Sequence, residues 1–114
     1  MKVSGYKQVP AEDVSEEGAA GTKIRWLIAG KDGAPNFAMR LFEMAPGGCS
    51  PLHAHPWEHE VYVLRGKGKV VRDGPDAKIG AGDFVFIAPN EKHQFRNDGK
   101  TMLCFVCLIP IPKG

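Results

Sequence analysis

Residues 53–66 read HAHPWEHEVYVLRG, and they hold three of the four histidines of this 114-residue chain. His53, His55 and His59 all occupy odd positions. A β-strand turns alternate side chains to opposite faces, so the three imidazoles can look to one side. Neutral imidazole is the commonest side-chain ligand of divalent transition metals. The fourth histidine, His93, ends a second apolar run, FVFIAPNEKH. Placing every imidazole at two strand ends is the pattern of a chain that builds a metal site.

The surrounding segments read as strands. EVYVLRG (60–66) is a strand closed by a glycine turn, and KGKVVRDG (67–74) is a shorter, polar-edged one. Upstream, TKIRWLIAG and NFAMRLFEM flank the turn GKDGAP as a hairpin, and the loop APGGCSPL delivers the chain to His53. Downstream, PDAKIGAGD reads as a turn-rich link, FVFIA as a fully buried strand, and HQFRN as an alternating one. TMLCFVCLIPIP closes the chain, with Pro110 and Pro112 ending its ladder and leaving an edge. Residues 1–21 hold a short strand near Val3–Val9, broken by Pro10, and a polar, solvated loop from Glu12 to Gly21. Short strands with turns every 8–12 residues or so predict an all-β sandwich or barrel. No amphipathic helix and no long linker interrupt them, so one domain over residues 1–114 is expected.

Composition narrows the function. A net charge of +2, without a Lys/Arg cluster, excludes a nucleic-acid footprint. No apolar run approaches the roughly 20 residues of a membrane span. The start, MKVSGYKQVP, lacks a signal-peptide core, which makes the cytoplasm the expected compartment. Three cysteines are too few for a disulfide framework. Cys104 and Cys107 form C-x-x-C, but residues three apart on a strand face opposite ways, so their sulfurs should not converge.

Two segments then resemble a known pattern. Residues 47–66 resemble cupin motif 1, G(X)5HXH(X)3E(X)6G, with Gly47, His53, His55 and Gly66 in register and His59 in the usual glutamate slot. Residues 82–97 resemble motif 2, G(X)5PXG(X)2H(X)3N, matched by Gly82, His93 and Asn97. Ala88 replaces the proline and Asn90 the glycine, and asparagine tolerates the left-handed backbone that such a slot demands. Replacing the glutamate by His59 is similar to small stand-alone cupins that hold manganese with four histidines. The resemblance implies a double-stranded β-helix, the cupin jelly-roll barrel, with His53, His55, His59 and His93 ligating one divalent ion inside its mouth. Mn2+ is the ion the resemblance favours, and Fe2+, Ni2+, Cu2+ or Zn2+ suit the same imidazoles. It also implies a homodimer with strands exchanged or packed between subunits.

Four neutral imidazoles leave the full +2 on the ion, which raises Lewis acidity and disfavours a higher oxidation state. The expected function is a metal-dependent, dioxygenase-like oxidoreductase acting on a small, largely apolar or aromatic substrate, with the metal centre itself as the catalytic group. The alternatives are a non-catalytic module binding metal or small ligand, and a Lewis-acid hydrolase, lyase or isomerase. Val61 shares a strand face with His59, and Phe95 shares one with His93, so both are candidate pocket walls. Phe105, Cys107 and Ile109 form one face of the last strand, and the resemblance implies that this face points inward. Arg40, inside an apolar strand, is either a salt-bridge partner or an anchor for a substrate carboxylate, with the structural role favoured. Glu58 and Glu60 should face away from the metal, and Trp57 should pack at the loop.

Overall fold

The computed structural model describes residues 1–112. Nine strands follow one another: β1 (Glu12–Asp13), β2 (Ala20–Ile28), β3 (Phe37–Cys49), β4 (His59–Arg65), β5 (Lys67–Arg72), β6 (Ala77–Gly80), β7 (Phe84–Ile87), β8 (His93–Arg96) and β9 (Leu103–Pro110). Helix is confined to two 3-10 turns, Tyr6–Gln8 and Gly30–Asp32. All pairings are antiparallel, in the order β6-β5-β8-β3-β9-β4-β7, with β2 and then β1 added alongside β3. β4 pairs with β7 and β9 rather than with its neighbours in sequence. This curled, non-local pairing is the expected all-β jelly-roll barrel.

Alternation builds the interior. In β4, His59, Val61 and Val63 are buried while Glu60, Tyr62 and Leu64 are exposed. Met44, Val63, Phe95, Leu103 and Phe105 form the centre of the core. Gly66 sits at φ 87°, and a Cβ there would run into the Met102 carbonyl oxygen, so only glycine turns the chain out of β4. Asn90 is the one described non-glycine residue with positive φ, at 67°, the tolerance expected of asparagine in that slot. Asn97 closes the following turn from the inside: its Nδ2 donates to the carbonyls of Met44 and Thr101, and its Oδ1 accepts from Gly99 N–H.

Several local readings are corrected. The expected strand near Val3–Val9 is a 3-10 turn, and the expected solvated loop contains β1. The segment after Met44 stays in the sheet as far as Cys49, with a register shift between Thr22↔Met44 and Ala20↔Cys49. Gly47, at φ 82°, supplies the backbone freedom for this bulge. The link before β7 contains β6, paired to β5. β7 is not fully buried: Phe84 is 81% and Phe86 61% exposed, and only Ile87 is enclosed.

Candidate functional site

Three elements deliver the four histidines. His53 and His93 form an isolated bridge, each backbone N–H donating to the other's carbonyl at 3.1 and 3.0 Å. His55 follows two residues later, its carbonyl accepting from Asn90 N–H at 2.6 Å. His59 opens β4. Ring centroids lie 4.2 Å apart for His53–His55, 4.9 Å for His53–His93, 4.9 Å for His59–His93, 5.4 Å for His55–His59 and 6.4 Å for His55–His93.

With roughly 2.1 Å between ring nitrogen and metal, rings at adjacent corners of one coordination sphere stand about 4.5 Å apart and rings at opposite corners about 6.5 Å. The spacing follows that pattern, with the His55–His59 edge open. Among the described residues no three His, Cys, Asp or Glu side chains close on a common point as a finished ligand set. Histidine χ2 is a soft torsion, so modest ring rotations change such spacings without moving the backbone.

Three of the four Nδ1 atoms have partners. His53 Nδ1 lies 3.1 Å from Glu16 Oε2, His93 Nδ1 donates to the Glu91 carbonyl at 2.9 Å, and His59 Nδ1 stands 3.5 Å from Cys107 Sγ. The Glu91 carbonyl and the Glu16 carboxylate, as acceptors, favour hydrogen on Nδ1 of His93 and His53 and leave their Nε2 lone pairs free. His59 Nε2 is buried and has no hydrogen-bond partner. Burial, with the neighbouring His93 and Arg40, lowers its pKa to about 3, and burial also lowers those of His93 and His55. These imidazoles are therefore neutral, the form that ligates metal, and His59 Nε2, unpartnered beside the rings of His55 and His93, fits a transition-metal ion.

A cavity of about 430 Å³ adjoins the cluster. Arg40, Phe95, Phe105, Cys107 and Ile109 line it; Val61 does not, being packed in the core between Val85 and Cys107. Phe105 stacks between Phe42 and Phe95, at 5.2 and 4.7 Å. Trp57 does more than pack the loop: its ring lies flat on His55, 4.4 Å away and 6° from parallel. Arg40 forms no salt bridge among the described residues. Its guanidinium lies over Trp26 and Phe42 and donates from Nη2 to Cys107 Sγ at 3.0 Å.

Burial raises the pKa of Cys107, against the pull of Arg40, and keeps the thiol protonated. Cys104, also buried, belongs to the other face of β9, and both cysteines are free. Glu58 and Glu60 are exposed. Sequence reasoning missed Glu16 and the rest of residues 13–16, which form part of the cavity wall. Only long-range pairing of β1 with β2 brings them there. A hollow of similar size, about 440 Å³, lies among β5, β6 and β7 and contains just His93 of the four. Size alone does not single out the site; the donor set does.

Residues 40–109 match the cupin domain family. The chain is a cupin. It is 39% identical over 113 residues to an oxalate-binding protein of Thermotoga maritima, covering 96% of this cupin and 93% of that protein. It is similar in structure to the polyketide cyclase RemF of Streptomyces resistomycificus, with a TM-score of 0.93, 38% identity, and coverage of 98% and 80%. A predicted oxalate decarboxylase of Thermotoga maritima superimposes with a TM-score of 0.85 at 28% identity, covering 97% of this cupin and 100% of that chain.

Proposed function

We propose that this cupin holds a divalent transition metal, manganese above all, with His53, His55, His59 and His93, and acts on a small oxygen-bearing organic molecule seated against the aromatic wall. The observation that carries this reading is His59 Nε2, buried, unpartnered and surrounded by imidazoles. The bound ion supplies Lewis-acid polarisation of a carbonyl or carboxylate oxygen. Glu16, Cys107 and Glu91 orient the rings, Trp57 backs His55, and Phe42, Phe95 and Phe105 keep water from the substrate's apolar body.

Lewis-acid chemistry ranks above the dioxygenase-like oxidation expected from the sequence. The ligands are neutral, and Arg40 adds a positive charge one thiol away from His59. Both disfavour a more highly charged ion. The relatives support the substrate class, since their names specify oxalate and a polyketide, each with neighbouring oxygen atoms.

Metal exchange tests the reading. Manganese- and zinc-loaded protein would be incubated with oxalate and with aromatic β-diketones under air, and products identified by mass spectrometry. Comparable turnover with both ions is expected. Turnover with manganese alone, consuming dioxygen, would establish the oxidoreductase instead. Stoichiometric metal uptake without turnover would leave a binding module.

The exposed outer face, with Phe84, Phe86, Tyr62 and Leu64, supports a homodimer in which a second copy covers it. Three free cysteines suit a reducing cytoplasm. Among the described residues no helix is long and apolar enough to cross a membrane.

A further inference from the structure

Among the described residues, three buried side-chain nitrogens lack any hydrogen-bond partner: Arg40 Nε, Trp57 Nε1 and His59 Nε2. All three belong to residues lining one cavity. An unpartnered buried polar group costs about 1–3 kcal/mol, so folded proteins keep few of them. Their concentration on residues that line a single cavity makes that cavity the place where a ligand could supply the missing partners. Two of the three, Arg40 Nε and Trp57 Nε1, carry hydrogen and can only donate. Metal binding by His59 leaves both unanswered.

Arg40 is also a cation without a counter-charge. Asp13 and Glu16 are the carboxylates on the cavity wall, and Glu16 is engaged by His53. Neither forms an ion pair with Arg40 among the described residues. The guanidinium carbon lies over the rings of both Trp26 and Phe42, at 5.6 and 5.0 Å from their centroids. It reaches His59 through one shared contact, the Cys107 thiol. With only 3.0 Å from Arg40 to that sulfur and 3.5 Å from the sulfur to His59, the two groups are close enough for one small molecule to span.

We propose that Arg40 and Trp57 determine specificity, selecting a planar anion whose charged oxygen group pairs with the Arg40 guanidinium while a further oxygen faces the histidine cluster. Its flat body lies against Phe42 and Phe105. This deepens the proposed function and rests on it only for the oxygen at the histidines. The Arg40 pairing stands without a metal.

The test compares salicylate with salicylamide, planar probes of nearly the same shape that differ in charge, by calorimetric titration. Wild type, Arg40→Gln, Arg40→Lys and Trp57→Phe are each titrated zinc-loaded and metal-free, with zinc stoichiometry measured in parallel. Wild type is expected to prefer salicylate by about tenfold or more, the worth of one charge-assisted pair. Arg40→Gln should reduce that preference to within about twofold while still taking up zinc, and Arg40→Lys should retain part of it. Trp57→Phe keeps the stacking and loses the N–H, so both probes should weaken by about threefold. A preference that persists without zinc uptake would leave this inference standing and remove the metal reading. Equal binding of the two probes by wild type, or no binding of either, would overturn it whatever the variants do. So would an undiminished preference in Arg40→Gln.

Discussion

The two faces of β4 make opposite use of the same alternation. Inward, His59, Val61 and Val63 are buried, and the strand contributes one polar atom without a partner, His59 Nε2. Outward, Tyr62 and Leu64 join Phe84 and Phe86 of β7 as exposed apolar side chains. One face keeps a polar atom away from water, and the other leaves apolar rings in it. Both arrangements cost free energy in the isolated chain. They differ in what would relieve the cost: under the proposed function, an ion and a small ligand on the inside, and a second copy of the chain on the outside. A residue that contradicts its surroundings points to a missing partner, and the nature of the contradiction tells which kind.

The largest expected effect breaks the inner face. His59→Ala should lower metal affinity by more than about 100-fold, beyond the range for orienting partners, with titration calorimetry as the measure and the oligomeric state unchanged. Next comes pH. Because the folded pKa of His59 is lowered, from 6.5 to about 3, the unfolded state takes up the proton first as acid is added. Stability of the metal-free protein is fully present above about pH 6.5 and drains away towards pH 3, by on the order of 2–4 kcal/mol from this residue. Urea unfolding at several pH values should give a shallower slope for His59→Gln.

The two cysteines of β9 sharpen the contrast further. Cys107→Ala removes the atom linking Arg40 to His59 and should weaken metal binding by about tenfold. Cys104→Ala, on the opposite face, should leave metal binding unchanged and cost about 1 kcal/mol of stability. Equal effects of the two on metal affinity would refute the role given to the Cys107 thiol. Phe86→Lys addresses the outer face alone. It should halve the mass found by light scattering and leave metal stoichiometry as it was.

Much of this was legible in the sequence because it depends on local period. Odd-numbered histidines, the glycine that closes β4 and an asparagine at a left-handed turn are all short-range signals. Parity also separated the two faces of β9, while the choice of the Phe105 face as inward came from the cupin resemblance. What escaped depended on distant pairing. β1 is too short and polar to show a period, and it becomes a strand because β2 offers it an edge. FVFIA looked buried because five apolar residues in a row carry no alternation. Val61 was assigned to the pocket by parity alone, but the cavity lies beyond its reach, towards Arg40 and Trp26. The salt-bridge reading of Arg40 failed because aromatic faces and a thiol, rather than a carboxylate, surround it.

β1 has a consequence of a different kind. It is held by two residue pairs, Glu12↔Ile24 and Asp13↔Lys23, and short edge strands of this sort open locally at small cost. Yet residues 13–16 wall the cavity, and Glu16 grips His53. Under the proposed function, the histidines and Arg40 would decide how tightly a guest is held. The unzipping of two residue pairs at the rim would set how long it stays, so affinity and residence time would be separately alterable.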